Sequence, residues 1–101
     1  MRSKGHILWA DDEIEMLKPH ILYLENKGYE VTPVKTGEDA IHICDEQNID
    51  LVLLDEMMTG LDGLTTLKNI KDKHSTLPVI MITKNEEEWL MEEAIAAQIT
   101  N

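Results

Sequence analysis

Short apolar runs alternate with longer stretches in which apolar residues return every three or four positions, and this rhythm continues along all 101 residues. Strand followed by helix, repeated, is what a parallel sheet with helical crossovers requires. His6 to Ala10 reads as a first strand. Ile14, Leu17, Ile21 and Leu24 then keep helical spacing up to about Gly28, a good C-terminal stop. Pro19 falls inside that stretch and predicts a kink or a missing hydrogen bond there. Glu30 to Val34 is a second, less apolar strand, and Pro33, which has no amide to donate, places it at a sheet edge. Thr36 and Asp39 have capping-box spacing and begin a helix to about Gln47, with Ala40, Ile43 and Cys44 on its buried face. "DLVLLD", Asp50 to Asp55, is apolar until its last residue, as in a strand covered on both faces. Asp62 and Gly63 open a third helix carrying Leu64, Leu67 and Ile70, and "PVIMIT", Pro78 to Thr83, is a fourth strand ending in a hydroxyl. Asn85, with Glu88 three residues on, can cap a last helix in which Leu90, Ala94 and Ala97 share a stripe.

With no repeat, low-complexity stretch or linker, residues 1–101 read as one domain, of a size that can bury a real core. Phe is absent, so Ile, Leu, Val and Met must build that core. Nine Lys and Arg stand against 20 Asp and Glu, a formal net charge of -11. This balance argues against a nucleic-acid backbone as partner and favours cations or basic protein surfaces. The single cysteine, Cys44, excludes an internal disulfide and is expected to be an inert core residue. A reducing, cytoplasmic setting is expected, with no membrane association, because neither a signal-type N-terminus nor a long apolar run is present.

Three strand ends carry polar groups: Asp11 and Asp12 after the first, Asp55 ending the third and Thr83 ending the fourth. The carboxyl ends of strands in an open parallel sheet lie side by side, so these groups converge where ligands bind. Three aspartates form an oxygen-ligand set suited to a hard divalent cation such as Mg²⁺, which keeps waters for further ligands, phosphate among them. Asp is also a frequent helix N-cap, and a cap alone would account for Asp12. The bland reading needs a separate reason for each position, whereas a shared cation needs one. Glu13, beside them, is expected in the first turn of a helix, where the dipole favours it.

At these residues the chain resembles the receiver domains of bacterial two-component response regulators, through "LWADDE", "LVLLDEMMTGLDG" and "VIMITK". The resemblance implies a flavodoxin-like (CheY-like) doubly wound parallel sheet in the order 2-1-3-4-5. It further implies that Asp55 accepts a phosphoryl group from a sensor histidine kinase, a phosphotransfer protein or a small donor. Asp11 and Asp12 would hold Mg²⁺ with Asp55 and the backbone carbonyl of Met57, and Thr83 would hydrogen-bond the phosphoryl group and act as the switch. An output domain would read the result. The chemistry agrees: a carboxylate nucleophile can form an acyl phosphate, and a cation neutralises the charge that gathers there. Within the family, "ILWADDEIEMLKPHILYLENKGYEV" and "MITKNEEEWLMEEAIAAQI" look most like the receiver half of PorX-type regulators.

Against the family pattern, the chain stops at Asn101, where the fifth strand should begin. The fifth strand, the fifth helix and the lysine that pairs with the acceptor are expected to be missing, as in a fragment of a longer protein. An unpaired fourth strand could then pair two copies into a homodimer. Thr59 stands where the family usually has Pro, and Lys84 where it often has a small residue, so both bear on phosphoryl lifetime. His6, His20, His42 and His74 lack metal-site spacing and are expected in surface or packing roles. Trp89, Leu90 and Met91 serve equally well as a partner surface or as core cover, and the acidic run around Glu86 to Glu88 is a solvated face. Two other readings compete with the switch. A Mg²⁺-dependent phosphohydrolase would place an aspartate two residues after its nucleophile, where Met57 stands. A pseudo-receiver that only binds proteins is disfavoured by the intact aspartate set and kept open by the missing lysine.

Overall fold

The computed structural model describes residues 3–58 and 60–82. Four parallel strands, β1 (His6–Ala10), β2 (Glu30–Val34), β3 (Leu51–Asp55) and β4 (Val79–Ile82), lie in the order β2-β1-β3-β4. They alternate with three helices, α1 (Lys18–Asn26), α2 (Gly37–Glu46) and α3 (Gly63–Lys73). The order is the one expected for the first four strands of a doubly wound receiver sheet. β2 is an edge, so Pro33 beside Trp9 leaves no ladder hydrogen bond unmade on its outer side. Thr59, Thr83, Lys84 and the expected last helix, from its cap at Asn85 through Trp89, Leu90, Met91, Ala94 and Ala97, lie outside the described residues.

The apolar strands follow from burial on both faces. Every residue of β3 is buried, as are Ile7 to Ala10 of β1. The two-residue period sends Ile7, Trp9, Leu51 and Leu53 to one face, where they pack with Leu24 of α1. Leu8, Ala10, Val52 and Leu54 go to the other, against Ala40 and Cys44 of α2 and Ile70 of α3. At about 1.5–3 kcal/mol for each fully buried aliphatic side chain, these two clusters supply most of the drive to fold.

Local signals agree with the helix ends. Thr36 Oγ1 accepts from the Asp39 amide at 3.1 Å, and Asp62 Oδ1 accepts from the Thr65 amide at 2.8 Å, which holds the Asp62 carboxyl below its usual range. α1 closes on Gly28 at φ +101°, with the Tyr29 amide donating to Leu24 O and the Gly28 amide to Glu25 O. Only glycine reaches that backbone region without a steric penalty. After α3, Lys71 Nζ donates to Ser75 O at 3.1 Å and Leu77 O at 2.7 Å, pinning the turn into β4. Lys71→Met keeps the aliphatic stem and loses both bonds, so urea denaturation should show a loss of about 1 kcal/mol.

Two expectations are corrected. The helical pattern from Ile14 is not one kinked helix: Ile14–Leu17 forms a 3-10 turn, and α1 starts at Lys18. Pro19 therefore sits in the first turn of α1, where its missing N–H would have had no intrahelical acceptor in any case. Glu13 correspondingly precedes the 3-10 turn as its N-cap rather than lying in a first helical turn. α3 carries Leu64, Leu67 and Ile70 as expected, but not all on one face. Gly63, Thr66 and Ile70 face inward, and Leu64, one position round from Gly63, is 63% exposed.

Candidate metal centre

β1 and β3 are adjacent and in register, Ala10 opposite Leu54, so the next residue of each chain emerges at the same sheet edge. Those residues are Asp11 and Asp55. One carboxylate oxygen from each of Asp11, Asp12 and Asp55 lies within 4.8 Å of the others. The structure thus brings together the three aspartates read from the sequence, while Thr83 falls outside the described residues.

Burial sharpens the problem these charges pose. Asp11 is 6% and Asp55 1% exposed. Asp11 Oδ1 accepts from the Glu13 amide at 2.8 Å, and Asp55 Oδ1 from the Met57 amide at 3.1 Å, each a tight turn two residues long. Asp55 Oδ2 is buried and, among the described residues, accepts no hydrogen bond. Two carboxylates this close repel by about 3 kcal/mol per pair at an effective dielectric constant near 20. A buried carboxylate oxygen with no partner among the described residues, on a side chain grouped with two further carboxylates, is costly in an apo protein and well placed in a cation site. The donor set fits Mg²⁺: all oxygen, few protein ligands, and open on one side.

The loop after β3 borders the site. Glu56 donates its amide to Ile82 O at 3.1 Å, and Gly63 donates to Glu56 O at 3.3 Å, so the loop is tied to the tips of β4 and α3. Met57, two residues beyond Asp55, has a side chain 71% exposed. Beside the aspartates opens a cavity of about 500 Å³ lined by Asp12, Glu56, Met57, Met58, Asp62 and Leu64. The exposed Leu64 therefore belongs to the rim of the site.

A larger cavity, about 870 Å³, lies at the other edge of the sheet, where Asp45 bridges His74 at 3.0 Å and Lys73 at 3.1 Å. Its cysteine, Cys44, is no nucleophile: burial first, and then the Asp45 charge, push the thiol up to about 11. His6 hydrogen-bonds Thr32 Oγ1 at 2.6 Å across β1 and β2, a packing role as expected.

Residues 7–101 match the response regulator receiver domain family. The chain belongs to that family. It is 43% identical over 82 residues to the regulatory protein VanR of Enterococcus faecium, covering 81% of this chain and 35% of that protein. Against the transcriptional regulatory protein ResD of Bacillus subtilis it is 40% identical over 86 residues, 85% of this chain and 35% of the relative. The chain thus spans about a third of the length of these curated relatives. Among solved structures, the receiver domain of the hybrid histidine kinase CckA superposes with a TM-score of 0.77 at 28% identity, covering 94% of this chain and 99% of that one. The receiver domain of a LuxO-type repressor from Vibrio parahaemolyticus, at 17% identity, reaches a TM-score of 0.85 over 99% of this chain and 92% of that one. That second likeness speaks for the fold alone. As a receiver domain the chain is a regulatory phosphoacceptor module of two-component signalling, not a turnover enzyme. Among the described residues no helix is long and apolar enough to cross a membrane.

The sequence marks Gly63 only as a helix opener and gives no sign of Gly37 or Thr66 as supports of the site. A Cβ on Gly37 would lie 2.0 Å from Thr66 Oγ1, and one on Gly63 2.6 Å from Asp55 O. Neither glycine has a positive φ, and no local pattern marks them. Their importance lies in what their bare Cα atoms meet, the Thr66 side chain at Gly37 and the Asp55 and Glu56 backbone at Gly63, a property of the packed fold.

Proposed function

We propose that this receiver takes a phosphoryl group on Asp55 in a Mg²⁺-dependent transfer and passes the change on to an output domain. The observation that carries this reading is Asp55 Oδ2, buried and without a hydrogen bond among the described residues, on one of three converging carboxylates. Asp11, Asp12 and Asp55 would hold the cation, with the Met57 carbonyl as a further ligand. Bound there, Mg²⁺ would neutralise the carboxylates and the incoming phosphoryl oxygens. Asp55 supplies the nucleophile: an O–P bond forms at its carboxylate, the P–N bond of a phosphohistidine donor breaks, and the leaving imidazole takes a proton. The Met57 amide, donating to Asp55 Oδ1, fixes the orientation of the carboxylate and leaves Oδ2 for the phosphoryl group. Thr83 would hydrogen-bond the new phosphoryl group and move toward it, biasing the segment that follows. The kinase or phosphotransfer partner docks at this sheet edge. Two copies would pair as a homodimer, and this domain would contact neither nucleic acid nor membrane.

Mass spectrometry after treatment with a small phosphodonor and Mg²⁺ tests the reading, on this chain and on a form extended through the family's lysine-bearing strand. A hydroxylamine-labile phosphate that requires Mg²⁺ and is lost in Asp55→Asn is expected. An extended protein that gains none, or an Asp55→Asn variant that still gains it, overturns the proposal.

A further inference from the structure

Gly63 opens α3 directly beneath the backbone that carries the nucleophile. A Cβ built there would lie 2.6 Å from the carbonyl oxygen of Asp55, 2.7 Å from Met81 Cε and 3.0 Å from Glu56 Cα. The first and third neighbours are backbone, which cannot turn aside as a side chain can. Met81 Cε is the end of a flexible side chain and can. The same residue donates its amide to Glu56 O at 3.3 Å. Its φ is not positive, so conformational freedom does not explain a glycine here, and close approach does. α3 is backed by α2, where the fully buried Thr66 sits so close to Gly37 that a Cβ on that glycine would lie 2.0 Å from Thr66 Oγ1. The helix cannot slide away from a new methyl group, so the strain falls on residues 55–57.

We infer that Gly63 is a positioning residue of the aspartate site: its bare Cα lets the start of α3 set the backbone of Asp55 and Glu56, and through them the ligand atoms of Asp55 and Met57. The inference rests on the metal reading above and deepens it. A backbone moved by a few tenths of an ångström changes the angle between the Asp55 carboxylate and those of Asp11 and Asp12, which a cation with strict octahedral geometry tolerates poorly.

Mn²⁺ binding followed by electron paramagnetic resonance, with the fold verified by circular dichroism, tests it. Gly63→Ala is expected to weaken Mn²⁺ affinity by about tenfold to a hundredfold, the usual cost of disturbing the groups that support metal ligands. The double variant Gly63→Ala/Met81→Ala should bind as weakly as the single one, since it relieves only the side-chain contact. Wild-type affinity in Gly63→Ala, or its return in the double variant, overturns the inference. A purely structural role would lower the melting temperature and leave the affinity of the folded fraction unchanged. A second measurement stays within the natural chain: Mg²⁺ titration should move the Gly63 amide resonance together with those of Asp55 and Met57. An unmoved Gly63 amide beside shifted Asp55 and Met57 also overturns it. Absence of any metal-dependent change removes the metal reading and this inference together, whereas normal binding by Gly63→Ala removes the inference alone.

Discussion

In metal-free buffer, Asp55→Asn is expected to melt at a higher temperature than the natural chain, and added Mg²⁺ is expected to raise the natural midpoint while leaving the variant's nearly unmoved. The natural residue places a carboxylate, 1% exposed, within 4.8 Å of two others and leaves Oδ2 without a donor among the described residues. Asn keeps the size and keeps an acceptor for the Met57 amide. It also replaces an unsatisfied, repelling oxygen by an NH₂ group that can donate to the neighbouring carboxylates. Removing a buried charge whose partners repel it stabilises by about 1–3 kcal/mol, and each kcal/mol is worth roughly 4–8 °C in a domain of this size. Mg²⁺ acts oppositely. It binds the folded natural chain, so the midpoint rises with the logarithm of its concentration over the dissociation constant, and the variant lacks one of the ligands. Thermal denaturation of both chains, with chelator and across a Mg²⁺ series, makes the comparison. A variant less stable than the natural chain in chelator would mean that Asp55 is satisfied in the apo protein, contrary to its geometry. The residue that would perform the chemistry is thus one that weakens the empty fold.

The parts of this arrangement that the sequence revealed share a physical cause. β1 and β3 are covered on both faces, so their residues are apolar up to the sheet edge, and the buried aspartates that break the two runs there, Asp11 and Asp55, mark that edge. Topology does the rest: parallel strands side by side bring Asp11 and Asp55 together although 44 positions separate them. Caps at Thr36 and Asp62 were legible because a cap is a contact within one helical turn. Pro19 misled because its allowed place, the first turn of a helix, depends on where that helix starts, and the apolar spacing runs unbroken across the 3-10 turn. Which way Leu64 points is not legible from its type: Gly63 packs against Asp55 at the start of α3, and the next side chain turns outward. Close approach between elements leaves no mark on the local pattern, which is why the tight contacts of Gly37 with Thr66 and of Gly63 with Asp55 appear only in three dimensions.

Gly37→Ala sets two opposing effects against each other and decides how tightly α2 is joined to α3. Gly37 is the first residue of α2, and intrinsic helix propensity favours Ala there by up to about 1 kcal/mol. Against this, the new Cβ would lie 2.0 Å from Thr66 Oγ1 and 3.2 Å from both Thr66 Cβ and Leu61 O. Thr66 is fully buried and already bonded to Asp62 O at 2.8 Å, so turning its hydroxyl away breaks that bond inside the core. Overpacking of this kind costs about 1–3 kcal/mol, and a lost buried hydrogen bond adds to it, so the clash exceeds the propensity gain. A net loss of about 2 kcal/mol is expected from urea denaturation, with the slope unchanged. Second-site variants identify the atom responsible. Thr66→Ala removes the oxygen in conflict and should recover part of the loss in the Gly37→Ala background, whereas Thr66→Ser keeps it and should not. Gly37→Ala at or above natural stability would show that α2 can shift off α3 at little cost. Leu61 and Asp62 lie on the segment that leads from the aspartate loop into α3, so such freedom would also loosen the rim of the metal centre.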